Sequence, residues 1–112
     1  MADTSAYLAA ELEHWPSKKQ MASLLQRSGL TITVGRYSIR LNDFSHFVIQ
    51  EYGGDLGDPQ IEADADSVEQ LMRECEVVSQ IFSNARIRHR FEVYDSENEM
   101  AGYLHYDWPL ES

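Results

Sequence analysis

Residues 64–108 read DADSVEQLMRECEVVSQIFSNARIRHRFEVYDSENEMAGYLHYDW, and this stretch decides the fold. Asp66 is placed to cap a helix, with Glu69 three residues on to close a capping box. Val68, Leu71, Met72, Cys75, Val78 and Phe82 recur at helical spacing, with Ile81 at the margin of the stripe. This predicts one long helix, about 67–84, within the segment 66–84. Asn84 suits the left-handed position that ends it. The period then changes to two, which predicts a β-hairpin over 87–107.

Placing Glu97-Asn98 at the turn sets the register of that hairpin. Val93 then faces Gly102, Phe91 faces Leu104 and His89 faces Tyr106 on the core side. The other face carries Arg90 with His105, Glu92 with Tyr103 and Tyr94 with Ala101.

Working outward, residues 30–52 continue in strands. Leu30, Ile32 and Val34 alternate with threonines, and Gly35-Arg36 fits a two-residue turn. Val34 would then face Tyr37, Ile32 would face Ile39 and Leu30 would face Leu41. A third strand follows at 45–52, its register left open by the consecutive Phe47, Val48 and Ile49. Residues 53–65 read as an acidic loop, with Gln60 to Ala63 as an edge strand or more loop. Residues 1–29 read as a helical hairpin: Leu8, Leu12 and Trp15 lie on one helical face before Pro16. Ser17 and Gln20 then box the start of a second helix, ended by Gly29.

The expected fold is therefore a single α+β domain spanning 1–112. It has two layers: the N-terminal helical hairpin plus an antiparallel sheet of about five strands, packed against one long helix.

Bulk properties narrow the function. The chain has 112 residues, 43% hydrophobic content and a formal net charge of −10. That charge argues against nucleic acid and membrane as partners and for a basic protein partner. One cysteine, no basic-then-apolar leader and no apolar run of spanning length point to a soluble cytoplasmic protein.

Two patches stand out. Residues 51–76 hold nine acids against one base, Arg73, a net of −8. Asp55, Asp58, Glu62 and Asp64 are the candidate partner-binding residues there. Their spacing does not follow a calcium loop. The second patch is the outer face of the 87–107 hairpin, where Arg88, Arg90, Tyr103, His105 and Asp107 form a candidate ligand face for an anion. Arg86 would share that face by alternation, and Arg88 would lie across from Asp107. That face is either open or covered by the N-terminal helical hairpin, and the sequence leaves both readings standing.

No catalytic residue, metal set or cofactor motif is expected. His105 and Asp107 share a face but lack a third ligand. Cys75 sits mid-stripe as a small hydrophobe. The expectation is a non-enzymatic protein-interaction module, of the size and charge of a bacterial adaptor, regulator or immunity-type inhibitor. Self-association into a homo-oligomer is compatible with it. The alternative is a small-molecule or anion binder, or an enzyme, using the Arg/His/Tyr face.

Overall fold

Period-two alternation governs more of the chain than its sequence suggests. The computed structural model describes residues 4–13, 16–50 and 60–108, with Gln60 described through its backbone. Seven strands and two helices follow in order: β1 (Ala6–Leu12), α1 (Lys18–Arg27), β2 (Ile32–Val34), β3 (Ser38–Leu41), β4 (His46–Gln50), β5 (Gln60–Ala65), α2 (Val68–Asn84), β6 (His89–Tyr94) and β7 (Met100–Tyr106). The strands form one sheet in the order β2-β3-β4-β5-β1-β6-β7, every neighbouring pair antiparallel. The α+β class stands, with seven strands where about five were expected.

The helical hairpin is not formed, because residues 6–12 are a strand. Leu8 and Leu12 satisfy helical spacing, but with Ala6 and Ala10 they also repeat every second residue. Ala6 and Leu8 are buried, while Tyr7, Ala9 and Glu11 are exposed. The strand lies between β5 and β6, pairing Tyr7 with Asp64 on one side and with Tyr94 on the other. Two-sided pairing and burial under α2 override a local preference that is weak to begin with.

Both β5 and β6 run antiparallel to β1, so they are parallel to each other, and α2 joins them across β1. Small residues accommodate that crossing. Ala6, Ala63 and Ala65 are buried in the same core cluster as Leu71, Cys75, Val78 and Phe82 of α2. Each large side chain buried there contributes about 1.5–3 kcal/mol. At Gly102 on β7 a Cβ would stand 2.3 Å from the Met72 sulfur, so glycine lets the helix seat closely on that strand. α1 packs on the other half of the same face through Met21 and Leu25, both fully buried and in one cluster with Ile39, Leu41 and Phe47.

Several local readings shift. Ser67, not Asp66, caps α2, its hydroxyl accepting from the Gln70 amide at 3.1 Å. Glu69 sits in the first turn of the helix without closing a box, where its charge suits the dipole. Asn84 is the last helical residue, and the left-handed position falls on Arg86 at φ 60°. In the β2–β3 hairpin Val34 pairs with Ile39 and Ile32 with Leu41. The loop is thus two residues longer than expected, and Gly35 does not adopt the positive φ that a two-residue turn requires of it. A shift of two leaves every side chain on its face, so Ile39 and Leu41 remain buried.

Phe47 and Ile49, not Val48, face the core from β4. Residues 60–65, read as loop or edge, form an internal strand between β4 and β1. The β6–β7 register agrees at five pairs from His89–Tyr106 to Val93–Gly102. A bulge then sets Tyr94 against Met100 in place of Ala101. The Ser17–Gln20 capping box and the Gly29 terminator of α1 form as expected.

Candidate functional site

Both helices occupy one face of the sheet, and neither packs on the other. This outer face gathers the alternate side chains of β3, β4, β5, β1, β6 and β7. The reading in which N-terminal helices cover it is overturned by β1 itself, which is part of the sheet.

Alternation puts Glu62 and Asp64 on this outer face, exposed, between the buried Ile61, Ala63 and Ala65. Arg88, Arg90, Tyr103 and His105 share it from β6, β7 and the residue before β6. The acidic and the Arg/His/Tyr patches therefore belong to one continuous surface. Asp55 and Asp58 lie outside the described residues. Asp107 follows β7 in a left-handed conformation, φ 48°, and its carbonyl accepts from Arg88 Nε at 2.8 Å. Arg86 does not join the others, since it stands on the exit of α2 before β6 begins.

The arginines arrive already partnered. Arg88 Nη1 contacts Glu13 at 2.7 Å, and its Nε lies 3.3 Å from the Asp107 carboxylate. Arg90 contacts Glu11 at 2.5 Å and Glu92 at 3.8 Å, with its guanidinium over the Trp108 ring at 5.5 Å. Such half-exposed pairs are each worth at most about 1 kcal/mol. What they do is neutralise the positive charge that an anion would need. Glu11, Glu13 and Tyr7 escaped the sequence reading because β1 was taken as a helix. Their alternation with Ala6, Leu8 and Ala10 was the available signal.

Aromatic rings run alongside. Tyr7 and Tyr94 stack at 5.3 Å with planes 17° apart, and Tyr103 lies 5.2 Å from the His105 ring. The Tyr94 hydroxyl donates to Glu92 at 2.8 Å, and that hydrogen bond raises the phenol above its ordinary value. Tyr7 is 42% exposed and donates to Asn98 at 3.1 Å. Clefts elsewhere on the described surface, such as the one lined by Pro16, Leu24 and Ile87, do not involve Arg88, Arg90, Tyr103 or His105.

The chain matches no known protein family, no curated protein and no solved structure.

Reactive groups elsewhere are engaged in the core. Among the described residues no group of three or more His, Cys, Asp or Glu side chains is placed to hold a metal ion. Burial, with Glu74 and Glu76 adding to it, pushes the Cys75 thiol up to about 12, so the thiolate is not formed near neutrality. His89 is fully buried and accepts from or donates to Ser79 Oγ at 2.7 Å. Its Nδ1 lies 2.8 Å from the Ile87 carbonyl, which can only accept, so Nδ1 carries the proton. The neutral ring then takes the Ser79 hydroxyl proton at Nε2. Distance alone would suit an activated serine, but Ser79 is 7% exposed and His89 packs against Phe82, Phe91 and Tyr106. No substrate atom reaches that hydroxyl. The pair is a satisfied polar contact inside the core.

Proposed function

We propose that this chain is a non-enzymatic protein-interaction module whose docking surface is the outer sheet face and whose partner presents a basic surface. The observation that supports the reading is the composition of that face. Glu11, Glu13, Glu62, Asp64, Glu92 and Asp107 oppose Arg40, Arg88 and Arg90, six acids against three bases, a net of −3. Tyr7, Tyr94, Tyr103 and Trp108 stand among them. Rigid aromatics with polar tips and an uneven charge are the chemistry of interfaces. Complementary potential would speed encounter with a basic partner.

The test is affinity capture with crosslinking at low and high salt, using the intact chain, Glu62→Lys/Asp64→Lys, and Glu76→Lys on the helix side as control. Basic proteins should crosslink to the outer face of the unaltered chain and of the control, and be lost on reversal or in high salt. Capture that ignores the outer-face reversal would remove the proposal.

A further inference from the structure

A second surface carries the opposite charge. A cleft of about 510 Å³ lies between α1 and the exit of α2. Lys19, Arg27 and Arg86 line it, over a floor that includes Pro16, Leu24 and Ile87. No acid lines it. The chain has 19 acids and 9 Lys and Arg residues, so three bases without an acid run against its composition. Of the six other bases, Arg88 and Arg90 are engaged by acids, Lys18 by the Gly35 and Arg36 carbonyls at 2.7 and 2.6 Å, and Arg36 lies over the Tyr37 ring at 5.3 Å. Arg27 spends only Nε, on the Ser23 carbonyl at 3.4 Å.

The backbone at Arg86 is the second observation. The amides of Arg86 and Ile87 bond the Ser83 and Phe82 carbonyls at 3.0 and 2.8 Å, the exit motif in which glycine ordinarily takes the left-handed position. Here an arginine takes it, at φ 60°. A side chain that bears such strain while lining a cleft of its own charge points to a ligand.

We infer that this cleft binds a small organic anion, an apolar body carrying a phosphate or carboxylate head. The head would meet the guanidinium forks of Arg27 and Arg86 and the Lys19 ammonium. The body would rest on Leu24, Ile87 and Pro16. The volume suits a small molecule. This site is separate from the outer sheet face and does not depend on the reading given for it.

The test is an amide-resolved NMR titration of the full chain with phenyl phosphate, phenylacetate and inorganic phosphate as probes. Saturable shifts are expected at Leu24, Ala85, Arg86 and Ile87 with one or both of the aromatic anions, weakening as salt is raised. Inorganic phosphate should bind less tightly than phenyl phosphate, since it lacks the apolar part. If only phenyl phosphate saturates, the head is a phosphate; if only phenylacetate does, a carboxylate. The variant Arg27→Ala/Arg86→Gly should lose affinity by about tenfold or more while keeping its dispersed spectrum. Glycine suits the backbone at 86, so misfolding cannot imitate loss of the site. The inference is overturned if neither aromatic anion gives saturable shifts there at millimolar concentration, or if the variant binds as well as the parent.

Discussion

The two helices leave by the same hydrogen-bond pattern but with different residues. At the end of α1, Gly29 and Leu30 donate to Gln26 and Leu25 at 3.0 and 3.2 Å. At the end of α2, Arg86 and Ile87 donate to Ser83 and Phe82 at 3.0 and 2.8 Å. The left-handed residue is glycine in the first case, where an added Cβ would meet nothing within 4 Å, and arginine in the second. Backbone geometry is therefore the same demand at both exits. The residue that answers it at α2 is the costlier one, by roughly 1 kcal/mol. The difference teaches that backbone geometry accounts for the glycine at 29 but not for the arginine at 86.

The largest effect expected comes from the packing beneath each exit. Leu25 and Phe82 supply the carbonyls that close the two motifs, and both side chains are fully buried. Leu25→Ala should cost about 2–5 kcal/mol and Phe82→Ala about 3–5 kcal/mol, read from urea unfolding. Near-equal losses would show the exits to be equivalent anchors. A loss below about 1 kcal/mol at either would break the comparison at its root.

Only α2 adds a buried polar pair near its exit, Ser79 with His89; the buried residues of α1 are Met21 and Leu25. Ser79→Ala leaves the ring nitrogen unpaired and should cost about 1–3 kcal/mol. Burial chiefly lowers the His89 pKa, the Ile87 carbonyl opposes this, and His105 adds a little to the lowering. The unfolded chain therefore takes up the proton first. Stability is complete above the unfolded value of about 6.5 and falls as pH drops from there toward the folded value. Urea midpoints should be level above about pH 7 and decline below it, and His89→Phe should flatten that decline. A profile that stays level from neutrality to about pH 5 would show that His89 takes its proton in place.

The smallest effect is the most diagnostic. Arg86→Gly should leave stability unchanged or raise it by up to about 1 kcal/mol, and Gly29→Arg should lower it by about 1 kcal/mol. Opposite signs in paired urea titrations would confirm that the two exits make one geometric demand. A destabilised Arg86→Gly would mean that the side chain serves the fold.

What could be read from the sequence followed sequence distance. The β6–β7 register was legible because the partners are close in the chain, and so was the Arg88–Asp107 contact. The α2 stripe was legible because seventeen residues give the helical period room to declare itself. β1 was not, because its seven residues satisfy both periods and its partners at Asp64 and Tyr94 lie far along the chain. Misreading β1 hid Glu11 and Glu13, two of the acids that engage the arginines. The basic cleft was hidden for a related reason. Arg86 alternates with Arg88 and Arg90 in sequence, and only the left-handed turn at 86 removes it to the side where Lys19 and Arg27 stand.

The place of β1 also orders events in time. It precedes the other six strands of the described sheet, yet its neighbours are residues 60–65 and 89–94. Without it the remaining strands fall into two separate sheets, β2 to β5 and β6 with β7. β1 must therefore wait, unpaired, until residues 60–65 and then 89–94 have been made. Its arrival is the step that joins the two halves, which makes assembly of this small domain a long-range closure and correspondingly slow.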